Sequence, residues 1–266
     1  MKKIGIIGMG NMGEAILKAL LKGGTNKTSI LCAESKSARA YFIMKTHGMK
    51  CYENPVEIIK KTDYVILAVK PQDSKSVLQA ISPQFNENKV LISIMAGITT
   101  SNILSVVGKA VKVVRIMPNI CVKVGEGAMG ITSNKIVGAE EVEEVKTIFS
   151  SMGKTIEVGE DLMDAVTAIG GSGPAFVLLF LEAMIDAGVK LGIPRDKSTV
   201  ISSQVIKGTI KMLEAENLHP TIMREMITSP GGTTIAGLAT LEQGAFKGTI
   251  IQAIEEACKR SKELSL

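Results

Sequence analysis

Residues 3–13 read Lys-Ile-Gly-Ile-Ile-Gly-Met-Gly-Asn-Met-Gly, and this stretch decides the fold prediction. A short β-branched run leads directly into the spacing Gly8-x-Gly10-x-x-Gly13, after which apolar residues recur at helical spacing as far as Leu21. A strand, a glycine turn and a helix in that order are typical of a dinucleotide-binding unit. The alternative is a glycine-rich turn that binds no ligand.

Each glycine of the turn has a separate physical role in that prediction. Gly8 permits the tight turn, Gly10 lets the backbone approach a pyrophosphate, and Gly13 allows the helix to pack closely on the sheet. Free N–H groups at the helix start attract anionic oxygens. The stretch therefore supplies the first candidate cofactor-binding residues: Gly8, Met9, Gly10, Asn11, Met12 and Gly13.

Outward from this stretch, short β-branched runs alternate with helical patterns. Predicted strands are Lys3–Ile7, Ser29–Ala33, Tyr64–Val69, Val90–Ile94 and Val111–Met117, with a further candidate at Gly127–Thr132. Predicted helices are Asn11–Leu21, Ser37–Thr46, Asn54–Lys60, Ser74–Ser82, Thr99–Val107 and Ala139–Ser151. Strands that are apolar on both faces and alternate with helices predict a parallel sheet covered on both sides. Residues 1–160 are therefore expected to form a Rossmann-like, doubly wound α/β domain.

After Asp161 the strand signals stop, and residues 161–266 are expected to form an all-helical domain for substrate binding and dimerisation. Predicted helices are Asp161–Ala168, Pro174–Leu191, Lys197–Glu216, Pro220–Ile227 and Thr234–Leu264, the last of which Gly244 and Gly248 can divide in two. The segment Ala175–Leu191 is apolar almost all round, more than a small bundle can cover by itself. We therefore expect C-terminal helices of two chains to pack together.

Composition excludes several other classes of protein. The 266 residues are 45% hydrophobic and 21% charged, with a net charge of +5, and the lysines are dispersed beside glutamates, so a nucleic-acid partner is not expected. The four cysteines lack CxxC spacing, which argues against a disulfide framework or a zinc site and for a reducing, cytoplasmic location. Glu182 and Asp186 interrupt the most apolar segment, so we expect a buried helix and no membrane span.

The end of the second predicted strand reads Ala33-Glu34-Ser35-Lys36 and lies where an adenosine ribose is expected. A carboxylate at Glu34 can accept hydrogen bonds from ribose hydroxyls and repel a 2'-phosphate, which favours NAD. Ser35, Lys36 and Arg39 are together suited to hold a 2'-phosphate, which favours NADP. The sequence therefore predicts NADH or NADPH without choosing between them, and Glu34 can also be merely a solvated turn residue.

With these residues placed, the chain resembles pyrroline-5-carboxylate reductases over nearly its whole length. The segments that carry the resemblance are Gly8–Gly13, Ala68-Val69-Lys70-Pro71-Gln72, Met117-Pro118-Asn119, Asp164-Ala165-Val166-Thr167, Gly171-Ser172-Gly173-Pro174-Ala175 and Thr228-Ser229-Pro230-Gly231-Gly232-Thr233-Thr234. Two single residues and one three-residue segment depart from the usual pattern of the family. Ser35 stands where Arg is common, Gly170 where Ser is usual, and Ile120-Cys121-Val122 where Thr-Pro-Ala is typical.

The resemblance implies an enzyme that uses NADH or NADPH to reduce the C=N bond of 1-pyrroline-5-carboxylate, giving L-proline. It also implies that the turn Ala68-Val69-Lys70-Pro71 borders the nicotinamide ribose and diphosphate, and Asn54 completes the cofactor-binding candidates. The region from Asp164 to Pro174 is expected to line an active site at the dimer interface, so that the substrate pocket is shared with helices of a partner chain. A purely structural alternative is that Asp164 caps one helix and Gly173-Pro174 begins the next.

The candidate substrate site is the loop before the last helical stretch. Its residues are Ser229, Gly231, Gly232, Thr233 and Thr234, where unpaired N–H groups at a helix start can receive a carboxylate. The alternative is an N-cap by Thr233 or Ser229 with no ligand. The family resemblance favours a substrate site, with Thr234 as the catalytic candidate beside the ring nitrogen.

Protonated imines need little help from a strong side-chain acid, which agrees with a chain that has only His47 and His219, both expected in surface turns.

Two rival functions stay open at this point. A β-hydroxyacid dehydrogenase would need a helix bearing Lys and Asn after Gly171-Ser172-Gly173, where the sequence is apolar. A non-catalytic NAD(P)-binding regulator would not require the second anion site at Ser229–Thr234.

Overall fold

The computed structural model describes residues 2–264 of the chain. These residues form two compact units, one comprising residues 2–171 with 257–264 and the other Ser172–Glu256. The first unit contains the whole sheet, and the second is helical. The predicted boundary at residue 160, between a dinucleotide-binding domain and a domain for substrate binding and dimerisation, stays a prediction.

The first unit is built on one eight-stranded sheet within the described residues. Its strands are β1 Ile4–Ile7, β2 Ile30–Ala33, β3 Cys51–Tyr52, β4 Tyr64–Leu67, β5 Val90–Ser93, β6 Lys112–Met117, β7 Gly127–Ser133 and β8 Gly153–Glu157. Their order in the sheet is β3-β2-β1-β4-β5-β6-β7-β8. The order reverses between β1 and β4, so the crevice beyond the carboxyl ends of these two strands is the switch point where such sheets bind ligands.

Two apolar cores cover the two faces of the sheet. Side chains of a strand alternate between faces, and accordingly Ile4 and Ile6 lie in one core whereas Ile7 lies in the other. The central strands β1, β4 and β5 are buried at every position, which explains why their residues are apolar except for Ser93 at the end of β5. The doubly wound α/β fold predicted from the sequence is confirmed.

The sheet differs from the prediction at its two ends. β7 runs antiparallel to β6, whereas the pattern predicted parallel strands only. β3 and β8 were not predicted: β3 has two residues, and β8 is an edge strand whose Lys154, Ile156 and Glu157 are exposed. Very short strands and polar edge strands lack the apolar alternation on which sequence reasoning depends.

The helices of the first unit largely follow the predicted pattern. They are α1 Asn11–Lys22, α2 Ser37–His47, α3 Val56–Ile59, α4 Ser74–Ile81, α5 Thr100–Val107, α6 Ala139–Phe149 and α7 Met163–Val166. A capping box fixes the start of α5, because Thr99 accepts a hydrogen bond from the N–H of Asn102 and the Asn102 side chain accepts one from the N–H of Thr99.

The remaining helices are α8 Gly173–Lys190, α9 Arg195–Glu216, α10 Pro220–Met226, α11 Thr233–Gln243 and α12 Phe246–Leu264. The predicted division of the last stretch occurs at Gly244 and at Ala245, which has φ 50°, whereas Gly248 lies inside α12. The predicted break before Pro174 is wrong. A π-helical turn, Thr167–Ser172, continues the backbone from α7 into α8, so the glycines there widen the helix without ending it.

Helix α8 is not buried within one chain, contrary to the expectation of a buried helix. None of its residues is buried, and Leu178 and Leu179 are more than 60% exposed. By length and composition alone, the helical segment Glu160–Lys190 would be long and apolar enough to cross a membrane. An apolar helix exposed in one chain is also what a self-associating surface requires.

Candidate functional site

The predicted glycine turn lies at the switch point of the sheet. Gly8 has φ 90°, a conformation that favours glycine, and its N–H donates to the carbonyl of Ala33 at the end of β2 (2.9 Å). A Cβ at Gly13 would lie 2.0 Å from the Gly8 carbonyl oxygen, so only glycine permits α1 to start this close to the turn. A Cβ at Gly10 would meet nothing within 4 Å. The turn is therefore tight on its inner side and open at Gly10.

Gly10 faces a cavity of about 480 Å³ at the carboxyl ends of β1, β2 and β4. The predicted cofactor-binding residues that line it are Gly8, Gly10, Asn11, Glu34, Ser35, Lys36, Ala68, Val69 and Lys70. The missing Cβ of Gly10 leaves room on the cavity side for a large ligand to contact the backbone, and the N-terminus of α1 offers N–H groups to an anion. The open backbone at Gly10 and the uncapped start of α1 both suit the diphosphate of a dinucleotide.

Five predicted cofactor residues lie outside the lining of this cavity: Met9, Met12, Gly13, Asn54 and Pro71. The Met9 side chain is fully buried, and Met12 packs against the same core. Gly13 contacts the turn itself, Asn54 accepts a hydrogen bond from the N–H of Val56, and Pro71 begins a short 3-10 turn. Their roles in cofactor binding stay predictions.

Sequence reasoning did not name several residues that line the cavity: Ile7, Ala33, Glu53, Pro55, Asp73 and Val77. Ile7 and Ala33 end predicted strands, so the rule that ligands bind at strand carboxyl ends was a usable signal for them. Glu53 follows β3, which was not predicted, so its position at this edge of the sheet had no signal in the sequence.

Glu34 is fixed against the glycine turn. One carboxylate oxygen accepts a hydrogen bond from the N–H of Met9 and the other from the N–H of Lys36, both at 2.9 Å. The residue is half-buried and lines the cavity. Glu34 is therefore not merely a solvated turn residue, because its carboxylate joins the end of β2 to the turn.

Arg39 lies on α2 and also contacts the turn. Its guanidinium donates to the carbonyls of Met9 and Gly10 and pairs with the carboxylate of Glu14. Its guanidinium also lies 4.9 Å from the centre of the Phe42 ring. Arg39 therefore ties α2 to the turn and to the first helical turn of α1.

Glu14 is the centre of this polar cluster, and its side chain is only 12% exposed. Burial by itself raises the pKa of Glu14, but the hydrogen bonds from Lys18, His47 and Arg39 outweigh it and lower the pKa to about 2. The Nε2 atom of His47 lies 3.0 Å from the carboxylate, and the His47 side chain is 9% exposed. The expectation that His47 is a surface turn residue is therefore wrong.

His219 lies at the N-cap of α10, where its Nδ1 accepts a hydrogen bond from the N–H of Thr221 (3.3 Å). This is the surface turn position predicted from the sequence. Both histidines of the chain thus have structural hydrogen bonds.

The second predicted site lies in the helical unit, in the loop before α11. Gly231 has φ 67°, and the N–H of Gly232 donates to the carbonyl of Ser229 (3.1 Å). Gly232 is the N-cap of α11, and no side chain caps the helix. The alternative of a cap by Thr233 or Ser229 is therefore wrong, and the first N–H groups of α11 are left for another acceptor. Thr234 is half-buried in this first turn.

Two further motifs meet at the π-helical turn within the first unit. The Asn119 side chain donates to the carbonyl of Gly170 (3.0 Å), so the Met117-Pro118-Asn119 segment is bonded to the widened helical turn. Asp164 accepts a hydrogen bond from Ser261 of α12 (2.6 Å) and does not cap α7, whose N-cap is Leu162. The capping role considered for Asp164 is wrong.

An ion pair between a buried arginine and a partly exposed glutamate anchors the segment before α7 to the sheet. The Arg115 side chain is 3% exposed and pairs with Glu160 (2.7 Å), which also accepts hydrogen bonds from the N–H and hydroxyl of Thr100. Sequence reasoning missed this pair because the two residues are separated by 45 positions. Removing Glu160 would leave the buried guanidinium of Arg115 without its counter-charge.

The comparisons with known proteins agree with this geometry. Residues 3–97 match the family model for NADP oxidoreductase, coenzyme F420-dependent, and residues 160–264 match the model for pyrroline-5-carboxylate reductase dimerisation. Together with the glycine turn and the switch-point cavity, the first match places the chain in the class of dinucleotide-binding oxidoreductases.

Similarity to curated relatives extends over nearly the whole chain. A pyrroline-5-carboxylate reductase from Synechocystis sp. is 38% identical and aligns over 98% of both chains. One from Arabidopsis thaliana is 34% identical over 99% of this chain and 95% of its own. The chain belongs to the pyrroline-5-carboxylate reductase family, so the resemblance stated from the motifs is confirmed.

Solved structures give the same result. The pyrroline carboxylate reductase of Plasmodium falciparum, solved with NADP bound, superimposes with a TM-score of 0.89 at 35% identity. The match covers 100% of this chain and 98% of that chain. The enzyme from Coxiella burnetii has a TM-score of 0.95 at 31% identity, with 100% of this chain and 99% of that chain covered.

Gly13 is tightly packed whereas Gly10 is open, so alanine substitutions at these two glycines give a matched pair of variants. Gly13→Ala places a methyl group against the Gly8 carbonyl, and we expect this overpacking to cost about 2 kcal/mol, or about 4–8 °C in Tm. Gly10→Ala meets no protein atom, so Tm should stay unchanged while the dissociation constant for the dinucleotide rises about tenfold. Thermal melts and nucleotide titrations test both, and equal Tm values for the two variants would contradict this account of the turn.

The low pKa of Glu14 predicts a specific pH dependence of stability. Because the folded pKa is about 2 and the ordinary pKa of a glutamate is 4.5, the ionised carboxylate stabilises the fold above about pH 4.5, and this contribution is lost as pH falls to about 2. Glu14→Gln should lower the free energy of unfolding by on the order of 2 kcal/mol at pH 7 and by little near pH 2. Urea unfolding across this range measures the difference, with Glu140→Gln, at an exposed position of α6, as control. A deficit independent of pH would refute the ion-pair explanation.

Proposed function

We propose that this chain is an NAD(P)H-dependent oxidoreductase of CH–NH groups that reduces 1-pyrroline-5-carboxylate to L-proline, the last step of proline biosynthesis. The observation that carries this proposal is the identity of 34–38% over nearly the full length with relatives of that activity. The cavity at the glycine turn supports it, because an enzyme of this kind needs a dinucleotide site at the switch point of its sheet.

The residues around the cavity fit a nicotinamide dinucleotide. Gly10 and the N-terminus of α1 would bind the diphosphate through backbone N–H groups, Gly8 would shape the turn beside it, and Lys70 in the cavity lining would add a positive charge. Glu34 would accept hydrogen bonds from the adenosine ribose. When bound, the reduced nicotinamide supplies the hydride, and the protein supplies binding and orientation.

The loop Ser229–Thr234 is the proposed site for the substrate carboxylate. The uncapped N–H groups at the start of α11 favour a negative charge, and the substrate carries one carboxylate. Thr234 follows Thr233 in the first helical turn, and we assign its hydroxyl to the ring nitrogen, where it orients the imine. The cyclic imine protonates readily, so the chain needs to hold the protonated nitrogen and does not need a strong acid.

The helical unit is the proposed surface of self-association. It exposes apolar side chains on α8 and α9: Val177, Leu178, Leu179, Val200, Ile201 and Val205. A face this apolar is stable in water when a second copy covers it, and the family match of residues 160–264 is to a dimerisation model. We propose that residues 161–266 serve as the dimerisation and substrate-binding domain.

We further propose that the enzyme works in the cytoplasm. All four cysteines are free thiols, which suits a reducing compartment. We expect neither a nucleic-acid partner nor membrane insertion, because the basic residues are dispersed and the apolar helix carries Glu182 and Asp186.

The decisive experiment is to follow consumption of NADH or NADPH by absorbance after 1-pyrroline-5-carboxylate is added to the purified protein. Turnover supports the proposal. Binding of the nucleotide without turnover would instead indicate a regulator, and reduction of NAD or NADP by a β-hydroxyacid without imine reduction would indicate the dehydrogenase alternative.

Thr234→Ala tests the role of the loop. Loss of the hydroxyl should lower kcat/KM for imine reduction by about 10²-fold, while the affinity for the nucleotide stays unchanged. Thr234→Ser, which keeps the hydroxyl, should recover most of the activity. The matched control is Thr240→Ala on the same helix, where the hydroxyl only bonds to the carbonyl of Ala236. Full activity of Thr234→Ala would remove this residue from the mechanism.

Val205→Glu tests the apolar face of α9. Val205 is 49% exposed in a single chain, and burying a carboxylate there in an interface is unfavourable. We expect the variant to sediment as a smaller species than the unaltered protein. Lys207→Glu changes charge at an exposed position of the same helix and is the control. An unchanged oligomer in Val205→Glu would exclude this face from the interface.

A further inference from the structure

We propose that this enzyme prefers NADH to NADPH, and that Glu34, supported by Glu53, is the residue that excludes a 2'-phosphate. The inference rests on the proposed function, because it concerns the nucleotide that the same cavity holds. The sequence leaves this choice open, since Ser35, Lys36 and Arg39 are near enough in the chain to form a phosphate site. The hydrogen bonds around these residues decide it.

The carboxylate of Glu34 is held in one orientation and still has acceptor capacity. Its two oxygens each accept one backbone N–H, from Met9 and from Lys36. A carboxylate offers about four lone-pair positions, so two remain for further donors. Ribose hydroxyls are donors and suit these positions, whereas a phosphate dianion has only acceptors to offer.

The same hydrogen bonds remove donors that a 2'-phosphate would need. The N–H of Lys36 is directed to Glu34, so this backbone donor of the loop after β2 is already used. Displacing Glu34 to free it would also leave the N–H of Met9 in the glycine turn without its acceptor. Binding a phosphate here therefore costs two existing hydrogen bonds.

Arg39, the strongest candidate for a phosphate ligand, is committed elsewhere. It donates to the carbonyls of Met9 and Gly10, and it pairs with Glu14, which is almost buried. An arginine that ties α2 to the turn in this way does not contribute a free positive charge to the cavity. Turning the guanidinium toward the cavity would remove one partner of the Glu14 carboxylate, which is largely buried.

The remaining charges on the cavity wall do not compensate. The lining contains the carboxylates of Glu34, Glu53 and Asp73 and the cations of Lys36, Arg39 and Lys70. The three negative and three positive charges of the lining balance, and the guanidinium of Arg39 is bonded to the turn and to Glu14, so the lining has no excess of positive charge for a phosphate. Glu53 directly follows β3, next to the end of β2, where the N–H of Glu34 donates to the carbonyl of Tyr52 (2.9 Å). Two acidic residues thus end neighbouring strands on the side of the cavity formed by β2.

The test is to measure dissociation constants of NADH and NADPH for the unaltered protein by fluorescence, in the absence of substrate. We expect NADH to bind at least tenfold more tightly. The competing fragments ADP and adenosine 2',5'-bisphosphate should show the same order. Raising the salt concentration should reduce the discrimination, because it screens repulsion between the 2'-phosphate and the carboxylates. Equal or tighter binding of NADPH, or a preference for NADH that grows with salt, would overturn the proposal.

Glu34→Gln removes the charge and keeps the size of the side chain. We expect the ratio of the two dissociation constants to fall by at least fivefold, whereas Glu57→Gln, at an exposed position of α3 outside the cavity lining, should leave it unchanged. An unchanged ratio in a folded Glu34→Gln protein would assign the preference to other residues and overturn the role of Glu34. If neither nucleotide binds to the unaltered protein, the proposed function fails as well, whereas equal binding with normal imine reduction refutes the preference alone.

Discussion

The whole first unit depends on the close approach of the α1 N-terminus to the backbone at Gly8. No side chain fits between Gly13 and the Gly8 carbonyl, and this constraint brings the first turn of α1 directly against the end of β1. β1 pairs with β2 on one side and with β4 on the other, so the switch-point crevice lies at its carboxyl end. The free N–H groups at the start of α1 therefore face this crevice. The cavity is thus a consequence of one backbone contact and of the strand order.

Polar side chains then hold the turn from outside. Glu34 accepts from the N–H of Met9, and Arg39 donates to the carbonyl of the same residue, so both backbone groups of Met9 are bonded to residues that follow β2. Glu14 binds Arg39 in turn, which closes a ring of contacts between α1, α2 and the turn. Because these contacts use donors and a positive charge that a bound phosphate would otherwise need, the rigidity of the turn and its choice of ligand are determined by the same residues.

The sequence predicted the features that depend on local pattern. Buried β-branched runs marked the central strands, and the glycine spacing marked the turn, since both signals lie within a dozen residues. It did not predict β3, β8, the antiparallel β7 or the π-helical turn at Gly170, because these depend on pairing and packing with distant segments. The same holds within the site: Glu34 was found by its position after β2, but the commitment of Arg39 and His47 to Glu14 depends on contacts 25 and 33 residues apart.

The two units also show why hydropathy alone cannot assign burial. The strands β1 and β4 and the helix α8 are comparably apolar, yet the strands are buried within one chain whereas α8 has no buried residue. A helix with apolar residues all round needs cover on every side, and a helical unit of this size cannot provide it. The excess of apolar surface on α8 and α9 is therefore a property of the single chain that a second copy removes. On this argument, the stability of the helical unit and its self-association are one equilibrium, so its folding should depend on protein concentration, whereas the sheet owes its two cores to residues of its own chain.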